Sequence, residues 1–102
     1  GQYQQGDVTL ERVDRLPSGA KKASHRILAQ GEATGHAHRL EEATDGLLYE
    51  ATDGTLYVRV GPKGATIAHE EHRPITLPLG DYRVGRVQEY DHFAEEARRV
   101  RD

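Results

Sequence analysis

The sequence predicts an all-β protein, a small antiparallel barrel or sandwich followed by a short C-terminal helix. Three observations predict it: apolar and polar residues alternate in short runs, turns rich in Gly and Pro separate those runs, and helical spacing appears only at the end of the chain. A length of 102 residues fits a single domain. We expect a β domain over residues 1–90 and a helix or tail over residues 91–102.

The first strands are marked by short apolar patterns. Val8 and Leu10 share one face of a first strand that ends before the turn at residues 17–19, and Ile27 and Leu28 mark a second strand.

An eight-residue repeat follows. Residues 42–49 read EATDGLLY and residues 50–57 read EATDGTLY, with seven of eight positions identical. The period suits a short strand joined to an Asp-Gly turn, so the repeat predicts a local hairpin.

The remaining elements follow the same logic. Leu56, Val58 and Val60 alternate with polar residues, a Gly-Pro turn covers residues 61–64, and Ala65 and Ile67 share one face of the next strand. The later predictions are an edge or corner between Pro74 and Pro78, a last strand from Tyr82 to Tyr90 with a bulge at Gly85, and an amphipathic helix with Phe93, Ala97 and Val100 on one face.

The composition excludes several kinds of site and several classes of protein. The absence of Cys excludes disulfides, thiolate metal sites and a cysteine nucleophile. Only 20 residues are Leu, Ile, Val or Phe, which predicts a thin core, while a net charge of −3 argues against a disordered chain. No apolar run reaches the roughly 20 residues of a membrane span, and we expect a cytoplasmic protein that does not bind membranes.

Four of the six histidines fall in two clusters, Gly-His-Ala-His at residues 35–38 and His-Glu-Glu-His at residues 69–72. On an extended chain, His36 and His38 point to one face about 7 Å apart, a distance that one metal ion can bridge. The spacing of three between His69 and His72 needs a turn to bring both rings together, and Pro74 favours one.

These clusters predict a shared site for a divalent transition metal, zinc first, with iron, nickel or copper as alternatives. The alternative is that each imidazole only bonds a neighbouring backbone carbonyl. His25 and His92 stand alone and are expected at the surface. The predicted ligands are the imidazoles of His36, His38, His69 and His72, with carboxylates of Glu42, Glu70 and Glu71 as ligands or as groups that orient an imidazole.

Part of this pattern resembles the cupin family. His36, Ala37, His38 and Glu42 match the first cupin motif, which implies His36, His38 and Glu42 as metal ligands. The second motif is incomplete, because Arg83 stands where the histidine after Pro78-Leu79-Gly80 belongs.

Nearly the whole chain resembles a group of small uncharacterised bacterial and phage-type proteins. The residues that carry this resemblance are Gln5-Gly6-Asp7-Val8, the segment from Gly31 to His38, His69-Glu70-Glu71-His72, the segment from Leu77 to Val84, and Gln88-Glu89-Tyr90. The resemblance implies no activity.

The sequence therefore predicts a small metal-binding β protein whose ion is structural or catalytic, with no catalytic residue assigned. The alternative is a non-enzymatic binding or assembly module, such as a phage-associated accessory protein, in which an edge strand pairs with a partner protein or a second copy. Nucleic acid is not an expected partner, because the net charge is negative and the chain has no basic patch interleaved with aromatic residues, although the tail at residues 98–101 is basic.

Overall fold

The computed structural model describes residues 1–30, 35–42 and 44–87. Within these ranges the chain forms ten strands and no helix. The strands are β1 (Gln2–Gln5), β2 (Val8–Val13), β3 (Lys21–Lys22), β4 (Ile27–Gln30), β5 (Ala37–Leu40), β6 (Gly46–Glu50), β7 (Leu56–Val60), β8 (Ala65–Ala68), β9 (Ile75–Leu77) and β10 (Gly80–Arg86). None of the described residues belongs to a helix that could span a membrane.

The strands form two antiparallel sheets. Sheet A has six strands in the order β1-β2-β10-β7-β6-β3, and sheet B has four in the order β4-β5-β8-β9. All strand pairs are antiparallel, and neither sheet closes into a barrel over the residues described. The all-β prediction is confirmed, and of its two forms the sandwich is the correct one.

One apolar core joins the sheets. Sheet A contributes Val8, Leu10, Leu48, Val58, Val60 and Tyr82, and sheet B contributes Leu28, Leu40, Ala65, Ile67 and Leu77. These residues occupy alternate positions of their strands, as expected when one face of each sheet is buried. The predicted inward face of Val8 and Leu10 is confirmed, since both are fully buried.

The eight-residue repeat forms a hairpin, as predicted. Its two copies contribute β6 and β7, which pair so that Tyr49 lies directly opposite Tyr57. Gly54 in the connecting turn has a φ of 89°, a conformation that favours glycine. The prolines also fulfil their prediction, because β9 between Pro74 and Pro78 is the edge strand of sheet B.

The bulge predicted at Gly85 is wrong. β10 pairs with β2 in unbroken register, with Gly85 opposite Thr9. A Cβ at this glycine would lie 2.8 Å from Thr9 Oγ1, so Gly85 gives room to a cross-strand neighbour instead of relaxing the ladder. The irregular pairing lies elsewhere, between Ile27 and Ala29 against β5.

Two further predictions fall partly outside the described residues. The last strand ends at Arg86, short of Val87, and the positions from 88 to Tyr90 are not described. The C-terminal helix predicted over residues 91–102, together with His92, lies wholly outside the described ranges. The division at residue 90 therefore stays a prediction.

Gly46 marks a close approach of the two sheets. A Cβ on this first residue of β6 would lie 2.8 Å from the Cβ of Ala65 in sheet B and 3.1 Å from Leu40 Cδ1. Carbon atoms cannot approach so closely, and Ala65 is fully buried, so an added methyl group would force the sheets apart.

We predict that Gly46→Ala lowers the free energy of unfolding by roughly 1–3 kcal/mol, the usual cost of overpacking. Urea unfolding followed by circular dichroism measures the change. The matched control is Leu47→Ala at the next, outward-facing position, which should change stability by about 0.5 kcal/mol or less. Equal stability of Gly46→Ala and the unmodified protein would contradict the close approach of the sheets.

Candidate metal centre

Four imidazoles meet at one end of sheet B, and we call them the histidine cluster: His36, His38, His69 and His72. His36 immediately precedes β5, His38 lies on β5, and the other two follow β8. The ring centroid of His69 lies 4.3 Å from that of His38, 4.6 Å from that of His72 and 5.8 Å from that of His36. His69 is therefore the central ring of the cluster.

A turn after β8 brings His69 and His72 together. The strand ends at Ala68, and the chain bends through residues 70–72 before β9 begins. The backbone N–H of Glu71 donates to His69 Nδ1 over 3.0 Å and closes the first part of the bend. The turn expected from the spacing of three is confirmed.

His38 is the buried member of the cluster, with only 1% of its surface exposed. Its Nδ1 lies 2.8 Å from Oε1 of Gln5, a buried residue of β1. The Gln5 amide nitrogen donates to the carbonyls of Ile67 and Arg73, over 2.9 and 2.8 Å. Because both N–H groups of the amide are used in this way, Gln5 Oε1 must accept, and His38 Nδ1 must carry the hydrogen.

With Nδ1 bonded to Gln5, the other ring nitrogen of His38 faces a carboxylate. His38 Nε2 lies 3.5 Å from Oδ1 of Asp7 in the turn between β1 and β2. The other oxygen, Asp7 Oδ2, accepts from Arg86 Nη2 over 2.6 Å and from Arg86 Nε over 3.2 Å. Sheet A and sheet B therefore both contribute to the buried side of the site.

The pKa values of the facing pair are both lowered. Burial and the neighbouring His69 lower the pKa of His38 below its ordinary value, and the charge of Asp7 only partly opposes this. Burial opposes ionisation of Asp7, but the hydrogen bond and charge of Arg86 outweigh it and hold the Asp7 pKa below its usual range. At neutral pH a neutral imidazole therefore faces a carboxylate.

The outer side of the site contains the two glutamates. Glu71 Oε2 lies 2.8 Å from His36 Nδ1. Glu70 accepts from the backbone N–H of Ala37 over 2.9 Å and from Arg39 over 2.7 Å. Arg39 and that N–H lower the pKa of Glu70 to about 2, so Glu70 is a carboxylate at any physiological pH.

One set of these groups is compact enough to hold an ion. His36, His69 and Glu70 each offer a ligand atom, and these three atoms lie within 4.8 Å of one another. Imidazole nitrogen and carboxylate oxygen are ligands for zinc and for other divalent transition metals.

Gly6 makes room for His72. The residue takes the first position of the two-residue turn between β1 and β2, with a φ of 58° that side chains other than hydrogen disfavour. A Cβ there would lie 2.6 Å from His72 Nε2. The sequence therefore needs glycine here both for the turn and for the imidazole that rests on it.

The structure brings together most of the predicted site residues. The histidine cluster, Glu70 and Glu71 meet as described, whereas Glu42 lies away from them. Glu42 lines a surface depression with Thr44, Asp45 and Lys63 beyond the far end of β5. His25 is exposed, as expected, and its Nδ1 accepts the backbone N–H of Ile27.

Gln5, Gly6 and Asp7 were not predicted as site residues. Their contacts with the histidine cluster span more than 30 residues of chain and depend on how the two sheets pack. One signal was present in the sequence: Gln5 shares the inward face of β1 with Tyr3, and a polar residue at an inward position needs buried partners.

The family model for DUF8820, described as a domain of unknown function, matches residues 4–87. The chain belongs to this family. The DUF8820 match includes the histidine cluster, both sheets except the first residues of β1, and the turn with Gly6 and Asp7. The match agrees with the uncharacterised group that the sequence resembles. No curated protein and no solved structure matches the chain, so the cupin resemblance and the bacterial or phage-type character of the group stay predictions.

We predict that metal-free protein loses stability as the pH falls below about 6.5, the ordinary histidine pKa. The pKa of His38 is lower in the folded chain than in the unfolded chain, so the unfolded chain binds the extra proton first. The stability that neutral His38 contributes is complete above the unfolded pKa and is lost below it, by at most about 1.4 kcal/mol per pH unit.

The measurement is urea unfolding at pH 5, 6 and 7 with a chelator present. His38→Gln should reduce the slope of the unfolding free energy against pH by up to about 1.4 kcal/mol per pH unit. The matched control is His25→Gln, at an exposed imidazole outside the histidine cluster. An identical pH profile for His38→Gln and the unmodified protein would show that the folded chain does not depress the His38 pKa.

Proposed function

We propose that this DUF8820 domain binds a divalent transition metal, with zinc as the first candidate, through His36, His69 and Glu70. The observation that supports the proposal is the grouping of their ligand atoms within 4.8 Å. Two ligand atoms of a tetrahedral zinc ion, with bonds of 2.0–2.2 Å, lie roughly 3.3–3.6 Å apart. Side-chain movements of up to about 1.5 Å in all would bring the three atoms to that spacing.

Neighbouring groups already orient two of the three ligands. Glu71 accepts from His36 Nδ1, which leaves His36 Nε2 as the nitrogen for the metal, the arrangement common around zinc-binding imidazoles. Arg39 and the N–H of Ala37 hold the Glu70 carboxylate in place and ionised. Each carboxylate oxygen of Glu70 accepts one of these hydrogen bonds and keeps a second lone pair that a metal can bind.

His69 must change on binding. Its Nδ1 accepts the Glu71 N–H, so the neutral ring carries its hydrogen on Nε2. Binding through Nε2 moves that hydrogen to Nδ1 and breaks the bond to Glu71, at a cost of about 1 kcal/mol. Because His69 and the Glu71 backbone lie in the bend after β8, metal binding rearranges this bend and leaves the strands unchanged.

The proposed role of the ion is structural. His36 precedes β5, and His69 and Glu70 follow β8. One ion would therefore link the adjacent ends of these two paired strands of sheet B. The core contains few large apolar groups, which makes the free energy of metal binding a useful addition to stability. We assign no catalytic step to the site.

The test is metal content and stability of protein purified without a histidine tag. Zn²⁺ in excess of the dissociation constant by 100-fold should stabilise the fold by about 2.7 kcal/mol, which is roughly 10–20 °C in melting temperature for a domain of this size. Elemental analysis after dialysis gives the bound zinc, and thermal melts with and without chelator give the shift.

His36→Ala should abolish this zinc ion and its stabilising effect. The matched control is His25→Ala, which removes an exposed imidazole outside the histidine cluster and should leave both unchanged. The proposal is wrong if zinc does not bind, or if His25→Ala weakens zinc binding as much as His36→Ala does.

A further inference from the structure

A second pair of metal-ligating atoms faces each other deeper in the site. The hydrogen on His38 Nδ1 is committed to Gln5, so Nε2 is the ring nitrogen that remains for a metal. Opposite it stands Asp7 Oδ1, while the other oxygen of the same carboxylate binds Arg86. A cation between Nε2 and Oδ1 would bind both atoms.

The distance between these two atoms suits a metal ion better than a proton. They are 3.5 Å apart, whereas a hydrogen bond from a charged imidazole to a carboxylate is about 2.7–2.9 Å long. Two ligands of a tetrahedral zinc ion, each about 2.0–2.1 Å from the metal, lie roughly 3.3–3.4 Å apart. The pair is therefore set at the spacing of two ligands of one ion.

We propose that His38 Nε2 and Asp7 Oδ1 hold a second divalent metal ion, completed by His72. His72 Nε2 rests on the backbone of Gly6, immediately before Asp7 in the chain. The ring of His72 lies nearly parallel to that of His38, with centroids 5.8 Å apart, and its side chain is exposed. The proposal requires this ring to turn toward the ion when the metal binds.

This position differs from the one proposed above, on which the two-ion arrangement rests. The first position uses only residues that flank strands of sheet B, and neither His38 nor Asp7 belongs to that compact group. The second uses the β1–β2 turn of sheet A and β5 of sheet B. The His69 ring lies near both positions, 4.3 Å from the His38 ring and 5.8 Å from the His36 ring.

Gln5 acts as the positioning residue for this second ion. Its amide cannot turn over without losing two hydrogen bonds to the carbonyls of Ile67 and Arg73. The same amide orientation selects the His38 tautomer that has a lone pair on Nε2. A buried group that fixes the tautomer of an imidazole is typical of protein metal sites.

The experiment counts ions in the full chain and its variants. Co²⁺ is titrated into metal-free protein, its visible absorbance is followed to saturation, and zinc is then counted by equilibrium dialysis with elemental analysis. The expected result for the unmodified protein is two ions per chain. Asp7→Asn, which keeps the shape of the side chain but removes its charge, should bind one.

Arg86→Gln is the matched control. It breaks the same ion pair between Asp7 and Arg86 that Asp7→Asn breaks, yet it keeps the Asp7 carboxylate, so it should still bind two ions. The His36→Ala variant should bind one ion. The double variant His36→Ala/Asp7→Asn should bind none. Equal ion counts for Asp7→Asn and Arg86→Gln would overturn the second position.

The two proposals fail in different ways. One ion in the unmodified protein that His36→Ala removes and Asp7→Asn retains leaves the first proposal standing and overturns the second. One ion that Asp7→Asn removes and His36→Ala retains supports the second and overturns the first, and no ion at all overturns both. If Asp7→Asn does not fold, zinc-soaked crystals of the unmodified protein decide, because an anomalous peak between His38 and Asp7 is expected and its absence would overturn the proposal.

Discussion

The buried amide of Gln5 is the interaction on which the rest of the site depends. A buried amide is costly unless its donors and its acceptor are all bonded, and this one bonds to Ile67 on β8, to Arg73 before β9 and to His38 on β5. One side chain of sheet A therefore ties three segments of sheet B. A slip of β1 by one residue against β2 would turn Gln5 outward and break all three bonds at once.

The fold was largely predictable because it follows from alternation. Leu56, Val58 and Val60 repeat with a period of two, and a sheet with one buried face requires that period. The alternation does not predict which residue of the neighbouring strand lies opposite a given position. A glycine within a strand is typical of a bulge, which is why one was predicted at Gly85. The space at Gly85 is instead occupied by Thr9, which lies 76 positions earlier in the chain. No local sequence pattern connects the two residues.

The candidate site was half predictable, and the division follows the range of the contacts. His69 and His72 are close in sequence, so spacing and a turn were enough to join them. Asp7 and Gln5 reach His38 only because two sheets pack face to face. Glu42 was suggested by its distance from His38 in sequence, but four residues of extended chain cover about 13 Å, so β5 carries it away from the imidazoles.

The even length of the eight-residue repeat has a consequence for how such a hairpin can arise by duplication. Side chains of a strand alternate between the two faces of a sheet, so copying an even number of residues preserves the direction of every side chain. Leu48 and its copy Leu56 both face the core, and Tyr49 and its copy Tyr57 stand side by side on the outer face. A duplicated segment of seven or nine residues, joined by the same turn and in the same register, would have placed a tyrosine in the core and a leucine in water. A duplication of eight residues would therefore need no further change of sequence in order to fold as this hairpin.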